Sequence, residues 1–140
     1  MNENKVKTIG ASQVLFHQGE KTGDLYVIQE GEIELSYKNP DTGKSTVIGK
    51  IEKMGILGSL SYLLGEPRSA TATAKTEVKY IKVFKTSRDK TLTNMPKWQQ
   101  LLIKDLALNL TKINQSYTNL RHDFELLEKK YKARVARDKD

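Results

Sequence analysis

Apolar residues in the first 85 positions fall in short runs interleaved with polar ones. Val27, Ile33, Leu35, Val47, Ile51, Val78, Ile81 and Val83 mark these runs. A period near two predicts half-buried β-strands. Glycines at 19, 23, 31 and 43 separate the runs. Asp41-Thr42-Gly43-Lys44, just after Pro40, has the composition of a tight turn. It predicts a hairpin between a strand at 33–37 and a strand at 46–51. Many short strands joined by regular turns predict an antiparallel sandwich or barrel.

The period changes after Val83. Thr86-Ser87-Arg88-Asp89 offers helix-capping chemistry, with Ser87 or Thr86 as the cap of a short helix ending near Asn94. Pro96 suits the first turn of a second helix, and no proline or glycine follows it. One helix is therefore expected from about residue 96 to residue 134. Ile103, Leu106, Leu110, Ile113, Tyr117, Leu120, Phe124, Leu127 and Tyr131 recur along it in steps of three and four. This is a heptad seam of about four repeats. Near residues 101–110 it can pack on the strands. Beyond Tyr117 the chain offers no evident material to cover it, so a second copy of the helix is expected there. The seam is not ideal for a parallel pair: Tyr117, Phe124 and Tyr131 occupy a positions, where β-branched residues fit better, and Asp123 at g faces Glu128 at e′. A different partner helix or an antiparallel pairing stays open. His122 is expected on the outer face of this helix. The chain thus divides into a β domain at residues 1–95 and a helical segment with a basic tail at residues 96–140.

Composition narrows the function classes. At 140 residues the chain can bury the core of one domain. It has no cysteine, which excludes disulfides and thiolate metal sites and fits a cytoplasmic location. Its start is polar rather than signal-like, and no segment approaches the roughly 20 apolar residues that span a bilayer. The formal net charge of +7 serves solubility or attracts nucleic acid or anionic membrane; the lysines are spread along the chain rather than gathered in one motif.

The stretch with the most chemistry is 58–71, Gly-Ser-Leu-Ser-Tyr-Leu-Leu-Gly-Glu-Pro-Arg-Ser-Ala-Thr. Gly58 opens a short helical turn whose first amides are free to donate. Arg68, held behind Pro67 and followed by Ser69, can grip a phosphate through a two-pronged, charge-assisted contact. A surface loop with one solvated arginine would read the same way in isolation.

The residues upstream complete a pattern. Leu15-Phe16-His17-Gln18-Gly19-Glu20 leads to Gly23-Asp24-Leu25-Tyr26-Val27-Ile28 and then to Glu30-Gly31-Glu32-Ile33-Glu34-Leu35. Over roughly residues 6–115 the chain resembles the cyclic-nucleotide-binding domain family, which includes the sensory domain of the bacterial catabolite activator and the regulatory subunit of cyclic-AMP-dependent kinase. The resemblance implies an antiparallel jelly-roll barrel followed by a short helix and a long dimerisation helix, paired in parallel about a two-fold axis. It makes 58–71 the phosphate-binding cassette, with Gly58, Ser59, Leu60, Arg68, Ser69 and Ala70 around a cyclic nucleotide, cAMP or cGMP. Residues 70–74, Ala-Thr-Ala-Thr-Ala, become the strand leaving the cassette, small enough to leave space beside the pocket. The base is expected to meet the long helix at Ile113 and Asn114, of which Asn114 offers both donor and acceptor; Asn114 is equally an ordinary polar e position of a coiled coil.

Two residues depart from the family pattern. Ser59 stands where the family has a glutamate that accepts from the ribose 2′-hydroxyl, a loss worth about ten- to a hundredfold in affinity. Met54 stands near a usual glycine. Catalysis has little support. His17 and His122 are the only histidines and have no metal-ligand spacing. The cassette serines have no neighbouring base, and no Gly-x-x-x-x-Gly-Lys loop or dinucleotide fingerprint occurs. Only nine residues follow Tyr131, too few for the recognition helix with which the activator family contacts DNA. The expectation is a stand-alone, non-enzymatic regulatory module without metal or membrane, a homodimer through its long helix that signals by dimer geometry or to a downstream protein partner. The alternatives are a scaffold of the same fold whose pocket no longer binds nucleotide, and a nucleic-acid binder using the basic tail.

Overall fold

The computed structural model describes residues 5–139; the polar start at 1–4 and the final residue of the tail, Asp140, lie outside them. Eight strands form two four-stranded antiparallel sheets. β1 (Val6–Ile9), β8 (Val78–Val83), β3 (Leu25–Glu30) and β6 (Ile56–Leu57) lie in the order β1-β8-β3-β6. β2 (Val14–Phe16), β7 (Thr71–Ala74), β4 (Ile33–Lys38) and β5 (Ser45–Ile51) lie in the order β2-β7-β4-β5. This is the antiparallel jelly-roll barrel that the resemblance implied, within the sandwich-or-barrel class that the strand pattern predicted.

The core lies between the sheets and follows the two-residue period. Tyr26 and Ile28 of β3, Ala72 and Ala74 of β7, and Val78 and Tyr80 of β8 point inward, closed by Phe16, Ile33 and Leu57. Val27 and Ile81, paired directly across the ladder, take the opposite phase and are only half-buried. Val47, on the edge strand β5, is exposed. Ala72 sits opposite Phe16 on one side and Leu35 on the other. The predicted hairpin joins β4 to β5, and its turn is closed by the Asn39 amide donating to the Lys44 carbonyl at 2.9 Å.

The helices depart from expectation in three ways. Pro96 is not in the first turn but at the N-cap, with φ −53° and ψ 146°. The long helix, α3, runs Lys97–Asp138, past the anticipated end at residue 134. At 42 residues it is about 63 Å long. A 3-10 turn at Lys85–Ser87 precedes the short helix α2 (Arg88–Thr93), whose N-cap is Ser87.

The third departure concerns what α3 touches. The barrel does reach the helix beyond Tyr117, because the β4–β5 hairpin extends to it. Glu125 is buried against the hairpin and accepts from Asn39 Nδ2 at 2.7 Å. His122 is not on the outer face: its Nε2 meets the Asp41 carboxylate on the same hairpin. The docked face carries Ala107, Thr111, Thr118, Arg121, His122 and Glu125. The seam is another face. Leu106, Leu110, Ile113, Tyr117, Leu120, Phe124, Leu127 and Tyr131 are 44–70% exposed. Thus the distal helix is held by polar contacts on one side while its apolar stripe stays uncovered on the other.

Candidate functional site

β6 ends at Leu57 and the chain turns through Gly58, at φ 82°, into α1 (Ser59–Leu64). Glycine tolerates this left-handed geometry. Space also demands it, since a Cβ at this position would collide with Arg68 Nη1. Gly65, likewise left-handed at φ 73°, ends α1 with its amide on the Ser61 carbonyl at 3.0 Å. The chain then passes Glu66 and Pro67 to Arg68 and enters β7.

Arg68 is anchored by its backbone. Its amide donates to the Glu20 carbonyl at 2.9 Å, and its carbonyl accepts from Gly19 at 2.8 Å. The side chain is 2% exposed. Nε donates to Thr22 Oγ1 at 3.1 Å and Nη2 to the Asp24 carbonyl at 2.7 Å. The guanidinium lies 4.4 Å from the Phe16 ring centre and 5.6 Å from that of Tyr26, within cation–π range. Nη1 is buried with no hydrogen-bond partner. An unsatisfied donor on a buried cation costs free energy, so this corner of the site is built for an acceptor. Burial pulls the Arg68 pKa below its ordinary value, against the opposing pull of Tyr26, Asp24 and Glu20; arginine stays protonated throughout.

Asp24 supports the arginine from behind. Burial alone would raise its carboxyl, but the Lys85 amide at 2.7 Å and the Lys82 ammonium at 3.2 Å outweigh it and hold the group below the usual carboxylate range. Ionised Asp24 is therefore the native form.

These elements enclose a pocket of about 320 Å³. Gly58, Ser59, Leu60, Arg68, Ser69, Ala70 and Asn114 all line it. The structure brings together seven residues from the start of α1, the loop before β7 and the helix α3, up to 56 positions apart. Ile113 is not among the lining residues and is 65% exposed on the seam. Leu35, Ile51 and Leu57 make the floor apolar, and Leu110 and Tyr117 of α3 close one side.

Four supporting residues did not emerge from the sequence. Thr22 and Asp24 hold Arg68, and nothing in their spacing announces it. Glu66 lines the pocket with its Oε2 accepting from Thr111 Oγ1 at 3.4 Å. Arg121 also lines the pocket; its position seven residues after Asn114, two helical turns on the same side, was a usable signal. His17 and His122 are outside the lining, each against a carboxylate, His17 on Glu20 at 2.8 Å and His122 on Asp41. Among the described residues, no cluster of His, Asp or Glu has metal-binding geometry, and no helix is long and apolar enough to cross a membrane.

A glycine-opened cassette that delivers a buried, partly unsatisfied arginine to an apolar pocket under a long helix agrees with the family comparison. The cyclic nucleotide-binding domain profile matches residues 6–93. The chain belongs to the cyclic nucleotide-binding domain family. It is similar to the "CRP-like cAMP-activated global transcriptional regulator" of Mycobacterium tuberculosis, 26% identical over 106 residues that make up 76% of this chain and 47% of the relative. The chain thus spans about half the length of the curated relatives it matches. Among solved structures, the N-terminal domain of a transcriptional regulator from Streptomyces coelicolor A3(2) superposes with a TM-score of 0.62 at 30% identity, covering 81% of this chain and 78% of that one. The EAL enzyme Bd1971 in its cAMP- and cyclic-di-GMP-bound form superposes with a TM-score of 0.71 at 23% identity, covering 81% of this chain and 30% of that one. That last likeness concerns the fold alone.

Proposed function

We propose that this domain is a cytoplasmic regulatory sensor that binds a cyclic nucleoside monophosphate and passes its occupancy to α3. The observation that carries this reading is Arg68 Nη1, buried beside Gly58 with no acceptor. A cyclic phosphate placed there would accept from Nη1 and from the amides opening α1, which have no intrahelical acceptors. The apolar floor suits a sugar and base, and the polar side chains of α3 suit a base edge. The role is binding rather than catalysis, since both histidines are engaged outside the pocket.

The exposed seam supports output through a homodimer. Leu110 and Tyr117 belong to both the pocket wall and the exposed apolar stripe. A second α3 lying on the seam would touch the residues that line the ligand site, so the ligand can favour one helix arrangement over another. A downstream protein partner would read that arrangement.

Ser59 favours a second reading, a scaffold of this fold whose pocket no longer takes nucleotide and whose helix binds another protein. Titration calorimetry with cAMP and cGMP separates the two. The sensor reading expects saturable binding by the wild-type chain and a loss of about 2 kcal/mol, roughly thirtyfold in affinity, in Arg68→Ala. Wild-type protein that binds neither nucleotide supports the scaffold.

A further inference from the structure

Arg121 contributes a charge to the pocket that the phosphate grip does not use. It projects from α3 two turns beyond Asn114, and its side chain is only 20% exposed. One of its five donors, Nε, is directed to Glu125 Oε1 at 3.4 Å. Among the described residues its two Nη groups have no hydrogen-bond acceptor. Glu125 is itself fixed, buried and bonded to Asn39 at 2.7 Å. The guanidinium thus rests against Glu125 through Nε, on a residue that lines the pocket, and its two Nη groups are left to meet a ligand.

Arg68 lies at the cassette end of the pocket and Arg121 at the helix end. With a cyclic phosphate on Arg68, the base extends toward α3. Purine edges differ there. Guanine presents two adjacent acceptors, O6 and N7, whereas adenine presents the N7 acceptor beside the N6 amino donor. A guanidinium has donors only. It pairs with both guanine atoms at once, and against adenine it sets donor against donor. Asn114 also lines the pocket but does not decide the matter, because it is exposed and its amide can serve either base.

We propose that Arg121, braced by Glu125, reads the O6/N7 edge of a guanine and makes this pocket select a guanine cyclic nucleotide over an adenine one. The proposal rests on the nucleotide-binding reading above.

The experiment is titration calorimetry of the full chain with cGMP and with cAMP, on wild type, Arg121→Ala and Arg121→Gln, with thermal melts to establish that each variant is folded. Wild type is expected to bind cGMP at least tenfold more tightly than cAMP. Arg121→Ala should lose that preference yet still bind both nucleotides through Arg68. Arg121→Gln, whose amide matches the adenine N6/N7 pair, should move the preference toward cAMP; because it keeps a polar side chain of similar reach beside Glu125, it decides the question if the alanine variant does not fold. A wild type without guanine preference overturns the proposal, as does a preference that survives in both variants. Equal weakening of both nucleotides also overturns it, by making Arg121 a nonselective charge. A wild type that binds neither nucleotide overturns the nucleotide-binding reading itself, a distinct outcome.

Discussion

Asn39 and Glu125, 86 residues apart, form a buried hydrogen bond of 2.7 Å that fastens the β4–β5 hairpin to the far half of α3. Both ends of the Asn39 amide are engaged: its Oδ1 accepts from the amides of Asp41 and Thr42 at 2.9 and 3.3 Å, which shapes the turn that presents Nδ2 to the helix.

Removing Asn39 should therefore be costly out of proportion to its size. Asn39→Ala leaves a buried carboxylate with only the 3.4 Å contact from Arg121 and frees two turn amides. The expected loss is about 1–3 kcal/mol, read as a lowered midpoint in urea. Glu125→Gln, which can still accept from Asn39, should lose less. Equal stability of Asn39→Ala and wild type would mean that the hairpin does not hold the helix in solution.

Asp24 predicts an acid-sensitive core. Its folded pKa lies below the unfolded one, so its contribution is complete above about pH 4 and disappears as the pH falls through the folded value. Asp24→Asn should lower stability by about 1–2 kcal/mol at pH 7, because the Lys82 pair and the charged acceptor for Lys85 are lost. The difference between the two proteins should shrink as the pH falls toward 3. Parallel stability curves across that range would remove Asp24 as the source.

Ser59 tests ligand chemistry. Placing a carboxylate there restores the acceptor that the family uses for the ribose 2′-hydroxyl, and Ser59→Glu should tighten ribonucleotide binding by about tenfold or more. A 2′-deoxy cyclic nucleotide should gain nothing. If the ribonucleotide also gains nothing in a folded variant, the sugar is held elsewhere in the pocket, and Glu66 is the carboxylate already in its wall.

The exposed seam predicts assembly. Leu120 and Leu127 are 70% and 64% exposed in the single chain, and lysine at both positions would put charge where a second helix must pack. Light scattering should show a dimeric wild type and a monomeric Leu120→Lys/Leu127→Lys double variant whose barrel stays folded. A monomeric wild type, or a double variant that remains dimeric, would take the interface away from the distal seam.

Much of this is legible in the sequence. The hairpin at 41–44 and the cassette from Gly58 to Arg68 depend on local backbone chemistry, which glycine and proline announce directly. Met54 is instructive: it reads as a departure from a usual glycine, and it sits at φ 67°, the conformation that explains why glycine is usual there. The orphaned Nη1 of Arg68 was not legible, because its neighbours come from the loop at 22–24 and one of them, the Asp24 carbonyl, has no side-chain signature. The docking of His122 and Glu125 was hidden for another reason. Periodicity reports apolar faces, and this face of α3 is polar, matched to a polar turn by individual hydrogen bonds.

Leu110 and Tyr117 have a further consequence. When one side chain serves both a ligand wall and a subunit contact, occupancy and association become linked equilibria, and each must shift the other by the same factor. A nucleotide affinity measured at nanomolar protein should then differ from one measured at micromolar protein, and a dimer dissociation constant should move with nucleotide concentration by the same free energy. The domain would count its own copies while it counts its ligand.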